Sequence, residues 1–257
     1  MTLPSTRGLM MASLASGSSG NCTLFTDGRS ALLVDCGISV KQIFARLEAL
    51  GLQEVHIEGV LITHEHHDHV GAMGVLDRRL KKDLGQDVPF LLTDGTLRQL
   101  APQLQVGRPV SVEASVPVRL GRWLCTPHAV PHDTAAPVAW TVELDGARGG
   151  VFTDLGCTPR HLDRVVADVD LAVIEFNHDP EMLLDGPYPW PLKQRIRGRL
   201  GHLSNADGAG LLERAAEAGR LRAVLLGHLS EENNAPELAL EAAHAALHRA
   251  GAGRGGG

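Results

Sequence analysis

Four histidines and an aspartate crowd into seven residues, Thr63-His64-Glu65-His66-His67-Asp68-His69. Within them the pattern His-x-His-x-Asp-His falls at positions 64, 66, 68 and 69. Imidazole suits zinc, manganese or iron, and a carboxylate adds a hard oxygen. His64 and His66 lie two apart on an extended segment, so they point the same way and can share one ion. Asp68 and His69 follow a turn and can reach a second. The competing reading is a polar turn with surface histidines. Ordered spacing of these ligand types behind an apolar strand argues against it.

The elements that must position this stretch are visible on both sides. Gly59-Val60-Leu61-Ile62 reads as a buried strand, and Val70 onward as a helix reaching about Leu84. Earlier, Met10 to Ala15, Cys22 to Thr26 and Ala31 to Val34 read as strands, the last two joined at Asp27-Gly28. Ser39 to Leu50 is a helix. Later strands are expected at 88–92, 116–120, 123–127, 137–144, 150–153, 171–174 and 223–226. Helices are expected at 96–104, 158–167, from Ser204 to Gly219 and from Pro236 to Ala250. Pro187 to Pro191 reads as irregular, and the basic stretch Lys193 to Leu200 follows it.

The histidine pattern resembles the signature of the metallo-β-lactamase superfamily. That resemblance implies an α/β fold, a four-layered αββα sandwich with a metal pair at one sandwich edge. A dinuclear site needs further ligands. Asp154 and His228 each end an apolar strand, and the loop Thr126-Pro127-His128-Ala129-Val130-Pro131-His132-Asp133 offers His128 or His132. His132-Asp133-Thr134-Ala135-Ala136-Pro137-Val138 is similar to a segment of the YycJ-like branch, and this likeness selects His132. The same branch is matched by Ser16-Gly17-Ser18-Ser19-Gly20-Asn21, Glu175-Phe176-Asn177-His178-Asp179, Tyr188 to Ile196, Gly201-His202-Leu203-Ser204-Asn205 and His228 to Asn234.

The implied ligand set is then His64, His66 and His132 for one ion, Asp68, His69 and His228 for the other, with Asp154 shared. Two divalent cations, zinc or manganese, fit such ligands. Asp35 either orients a metal-bound histidine or caps the helix after it. His202 and Glu175 are candidates for protonating a leaving oxygen, by similarity to ribonuclease Z-like relatives. Ser18, Ser19 and Asn21 lie in a turn that is either a plain hairpin connection or a phosphate-holding loop. Lys193, Arg195, Arg197 and Arg199 are either a solvated helix face or, if irregular, a cationic edge.

The branch resemblance implies a metal-dependent 5′-to-3′ DNA exonuclease, with a DNA-repair role as its wider implication and DNA favoured over RNA. A small-molecule hydrolase acting on a thioester, lactone or cyclic phosphodiester would use the same ions. A scaffold that keeps metal only for stability would bind nucleic acid without turnover.

Composition sets the outer limits. The 257 residues with 44% hydrophobic content suit one domain, expected over 1–250, with a disordered glycine-rich tail at 251–257. The net charge of −6 gives no global pull towards nucleic acid, so binding must rest on a local patch and on the metals. Cys22, Cys36, Cys125 and Cys157 form no CxxC pair and read as four buried thiols in a reducing compartment. No secretory signal or membrane-spanning run is visible, so a soluble cytoplasmic protein is expected.

Overall fold

The computed structural model describes residues 5, 6 and 8–254. Their contacts gather into two compact units. One runs to Ala129 and includes Thr134–Gly149; the other comprises Val130–Asp133 and the chain from Gly150 onward.

The first unit opens with strands β1 (Ser5–Thr6), β2 (Leu9–Ala15), β3 (Cys22–Thr26) and β4 (Ser30–Val34), then helix α1 (Val40–Ala49). Strand β5 (His56–Leu61) leads into the short helix α2 (His67–Val70) and helix α3 (Met73–Asp83). β6 (Phe90–Thr93), α4 (Asp94–Gln99), β7 (Pro109–Val112), β8 (Val118–Leu120), β9 (Trp123–Ala129) and β10 (Val138–Leu144) follow. Strands β1 to β7 form a sheet in sequence order. It is antiparallel as far as β4 and parallel from β4 to β7. β8, β9 and β10 make an antiparallel meander. Strand β3 is buried along its whole length, so both faces are covered. Ile43 and Leu47 of α1 join Leu24, Leu33, Val60, Met73 and Leu80 in one core. That core fixes the end of β5, from which the metal motif leaves. Just beyond that end, Ile62 accepts a hydrogen bond at its carbonyl from Trp140 Nε1 at 3.0 Å.

Strand β11 (Ala147–Phe152) begins in the first unit and ends in the second. The second unit continues with α5 (Arg160–Ala167), β12 (Leu171–Glu175), α6 (Pro180–Asp185) and α7 (Trp190–Arg197). It closes with α8 (Asn205–Glu217), β13 (Ala223–Gly227) and α9 (Pro236–Arg254). β12 and β13 pair in parallel. α8 packs on α5, α9 and β12 through Leu211, Leu212 and Ala215. Ser204 starts α8 with a capping box closed by Asp207, as its position before the apolar run predicts.

Several sequence expectations need correction. The stretch Pro187 to Pro191, expected to be irregular, runs into helix α7, which carries Lys193, Arg195 and Arg197. Its prolines fall at the start, with Pro189 as the cap and Pro191 in the first turn, where no intrahelical N–H is needed. The helix after the metal motif is two helices, α2 and α3. The helix expected over 96–104 is α4 plus a 3₁₀ turn at Pro102–Leu104. Strand β7 and helix α6 were not foreseen. α9 runs past Ala250 to Arg254, so the expected tail begins as helix, and residues 255–257 lie outside the described residues. Cys157 is half-buried, while Cys22, Cys36 and Cys125 are buried as expected. No helix among the described residues is long and apolar enough to cross a membrane.

Candidate metal centre

In the first unit the histidine motif caps and fills α2. His66 is its extended N-cap, and its carbonyl accepts from His69 N at 2.9 Å and Val70 N at 3.1 Å. The turn brings three rings together: His64 and His66 stand 4.7 Å apart between centroids, and His64 and His69 4.1 Å. Asp68 Oδ2 lies 3.3 Å from His69 Nε2. His67, the histidine outside the pattern, is exposed.

Asp35 holds this cluster from behind. It follows β4 with a positive φ of 62°, a region that favours glycine or asparagine-like side chains. Its Oδ1 accepts from the Thr63 amide at 2.8 Å, and its Oδ2 lies 2.8 Å from His69 Nδ1. Burial pushes the Asp35 carboxyl upward, against the pull of His69 and Thr63. Thr63 Oγ1 also reaches His64 Nδ1 at 3.0 Å. Asn21 clamps the far side. Its amide N–H donates to the Asp68 carbonyl at 2.7 Å, and its Nδ2 lies 3.2 Å from Asp68 Oδ2 and 3.0 Å from His69 Nε2. Gly37 makes room for this clamp: a Cβ there would sit 1.6 Å from the Asp68 carbonyl oxygen.

In the second unit, Asp154 follows β11 and His228 follows β13, with φ of 58° and 56°. Strand ends held in this sparsely populated conformation store strain that the surrounding contacts must offset. One ligand atom each from Asp154, Glu175, His202 and His228 falls within 4.8 Å of the others. His132 Nε2 lies 3.8 Å from Asp154 Oδ1, and His228 Nε2 lies 3.6 Å from it. The His202 ring stacks on His228 at 5.1 Å and stands 5.2 Å from His132. Burial drives the His132 imidazole below its ordinary pKa, against the opposing pull of Asp154 and Asp133.

Glu175 is fully buried, and both its oxygens are engaged. Oε1 lies 2.8 Å from His202 Nδ1 and 3.3 Å from His228 Nδ1. Oε2 accepts from the amides of Leu155 at 2.8 Å and Leu203 at 3.3 Å. Burial alone would raise its pKa, but His202 and His228 outweigh it and hold the group below the ordinary carboxylate range. A carboxylate so engaged is placed to orient both imidazoles.

The donor set fits divalent metal. His64, His69, His132 and His228 each have Nδ1 engaged by the protein. The partners are Thr63 Oγ1, Asp35 Oδ2, the Gly201 carbonyl at 3.0 Å and the Glu175–Asn177 pair. That leaves Nε2 of each ring as the atom that would ligate a metal, since a partner on the other ring nitrogen sets the tautomer. The seven expected ligands divide by unit: His64, His66, Asp68 and His69 in the first, His132, Asp154 and His228 in the second. Thr63, Asn177 and the Gly201 carbonyl escaped the sequence reading, because each acts through a fold contact with no local signature.

Of the residues expected to touch substrate, Ser18 and Ser19 are exposed in their turn. Asn21 is buried and works inward as the clamp described above. Lys193 is a correction: its buried ammonium donates to the carbonyls of Leu184 at 2.6 Å and Gly186 at 2.7 Å, closing the loop before α7. Arg195 pairs with Asp133, beside His132. His128 lies on β9 and bonds Thr141 Oγ1 at 2.9 Å, a strand-to-strand contact.

The β-lactamase superfamily domain matches residues 31–228, and the chain belongs to that superfamily. Among its relatives, the exodeoxyribonuclease WalJ of Streptococcus pneumoniae strain D39 is 35% identical over 238 residues, 90% of this chain and 86% of WalJ. The exodeoxyribonuclease YycJ of Bacillus anthracis is 31% identical over 251 residues, 96% of this chain and 92% of YycJ. The metallo-β-lactamase fold protein YhfI of Bacillus subtilis aligns with a TM-score of 0.71 at 18% identity, covering 92% of each chain. The two mixed sheets with their helices therefore have the metallo-β-lactamase fold expected from the motif.

Proposed function

We propose that this chain is a metal-dependent exodeoxyribonuclease. The residues that would hold its ions are His64, His66, Asp68 and His69 in the first unit and His132, Asp154 and His228 in the second. The observation that carries this reading is the orientation of four histidines by Nδ1 partners, in a chain similar to two exodeoxyribonucleases over most of its length. Zinc or manganese, a cytoplasmic setting and a DNA-repair role belong to the same proposal, as does the treatment of residues 1–250 as one functional domain.

A bound pair of divalent ions supplies charge neutralisation and an activated water to phosphodiester chemistry. The chain's own residues do the rest. Asp35 and Thr63 fix the imidazoles of His69 and His64. Glu175 holds His202 through Nδ1, so Nε2 is free to face the leaving oxygen and protonate it. His202 is partly exposed, as a group that meets substrate must be.

The test is digestion of 5′-phosphorylated, end-labelled DNA and RNA in manganese or zinc. Mononucleotide release from the 5′ end of DNA is expected. No release by the wild type, or equal release by the His64→Ala variant, would refute the assignment. Turnover of thioesters with none of DNA would instead establish the small-molecule reading.

A further inference from the structure

One branch-like segment is left without a role by this reading: the helix α7 that leads into His202. Among the tryptophans, Trp123 and Trp140 are fully buried, whereas Trp190 is 55% exposed at the start of α7. An exposed tryptophan offers a large apolar ring with a polar edge, the kind of side chain enriched at contact surfaces. The charge around it is one-sided. No aspartate or glutamate occurs between Asp185 and Asp207, while Lys193, Arg195, Arg197 and Arg199 do, in a chain of net charge −6. Arg197 and Arg199 are exposed, as is Leu200.

The helix is held at both ends. Lys193 ties it to the carbonyls of Leu184 and Gly186. Arg195 pairs with Asp133, and the His202 amide donates to the Ile196 carbonyl at 2.9 Å. The backbone of α7 is therefore tied directly to that of His202. Seven residues of helix put Trp190 about 10 Å along the axis from Arg197, roughly the rise of three stacked nucleotides.

We propose that Trp190 is a stacking platform for a nucleobase of a single-stranded DNA end, with Arg197 and Arg199 following the phosphates towards His202. The proposal rests on the exodeoxyribonuclease reading. An aromatic platform flanked by arginines is the arrangement that binds single strands with little sequence preference. Arg197 and Arg199 are the exposed cations of this stretch, and successive phosphates of a strand would meet both.

The experiment uses the full chain and phosphorothioate oligothymidylates, which resist cleavage. Wild-type tryptophan emission is expected to be quenched on titration, while Trp190→Phe, left with the buried Trp123 and Trp140, shows no quenching. Trp190→Ala is expected to bind the oligonucleotide about tenfold more weakly by anisotropy, Trp190→Phe less so. KM for DNA is expected to rise and kcat to hold, with the penalty absent on a dinucleotide too short to reach the platform. Circular dichroism checks that both variants fold. Wild-type binding without quenching, or unchanged affinity in Trp190→Ala, overturns the platform while leaving the nuclease intact. A wild type that neither binds nor cuts DNA overturns the nuclease reading first.

Discussion

His202 Nδ1 lies 2.8 Å from Glu175 Oε1, and that carboxylate is fully buried with both oxygens occupied. The pair separates two roles. Glu175 is buried away from solvent, whereas His202 is partly exposed. Replacing His202 by alanine should lower kcat by about 10²–10⁴-fold, the usual contribution of a positioned proton donor. Metal content should hold. Glu175→Gln keeps the shape but removes the charge that orients both His202 and His228, so it should lower kcat and weaken metal retention together. Elemental analysis beside the kinetics distinguishes the two variants. A His202→Ala enzyme with wild-type kcat would remove it from the chemistry.

Asp35 stands to His69 as Glu175 stands to His202, but its partner is an expected ligand. Asp35→Asn tolerates the left-handed backbone at φ 62° and loses only the charge and an acceptor. Metal affinity should fall by about 10–100-fold, read by competition with a chelator. Asp35→Ala adds backbone strain of about 1–3 kcal/mol, so its melting temperature should drop further than that of the asparagine variant. Equal metal affinity in all three proteins would show that Asp35 is only a strand-end residue.

What the sequence disclosed follows from how local each feature is. The motif 64–69 was legible because its candidate ligands lie within one turn, between a buried strand and a helix. Asp154 and His228 were legible because each ends an apolar run. Asn21 was not legible as a clamp: its partners Asp68 and His69 lie 47 and 48 residues away, and only the fold brings them within reach. α7 was misjudged because three prolines in five residues, Pro187, Pro189 and Pro191, mark a break in most contexts. Here the last two coincide with a helix start, the one place where proline fits. β7 was hidden by Pro109 at its first position, which an edge strand accepts.

Lys193 illustrates the cost of reading charge as function. Its ammonium is buried and satisfied by two carbonyls. Lys193→Met keeps the length and strands both acceptors, and should destabilise the protein by about 1–3 kcal/mol. Urea denaturation measures this. The salt dependence of DNA binding by the folded variant should be unchanged, because Lys193 meets no phosphate, whereas Arg197→Ala and Arg199→Ala should weaken binding and reduce its salt dependence. A Lys193→Met protein of normal stability and weak DNA binding would restore the cationic-edge role.

The thiols give a test of packing alone. Burial raises Cys22 and Cys36 far above the ordinary thiol range and pushes Cys125 up to about 12. The thiolate is the reactive form, so these three should resist a disulfide reagent in the native state. Cys157, half-buried, should react first. One fast thiol in native protein and four in denaturant is the expected titration. Rapid loss of more than one native thiol would mean that the strands carrying Cys22, Cys36 or Cys125 open readily.

His178 links stability to pH. Its ring is buried beside the Ser204 turn, where Asn205 N donates to the His178 carbonyl at 2.8 Å. Desolvation lowers its pKa from 6.5 to about 4. A histidine with a depressed folded pKa stabilises fully above the unfolded value, because both states are then neutral. As pH falls below 6.5, the unfolded chain takes up the proton and the folded one does not, so stability is lost until pH reaches about 4, where both are protonated. The loss over that window amounts to about 3 kcal/mol from this one group. Urea midpoints measured between pH 7 and pH 4 should fall for the wild type. His178→Asn removes the titration and should flatten the curve by about that amount, although its stability at neutral pH is lower. Parallel curves for the two proteins would show that His178 is solvated enough to titrate normally, and that the turn between β12 and α6 packs on the start of α8 more loosely than its burial indicates.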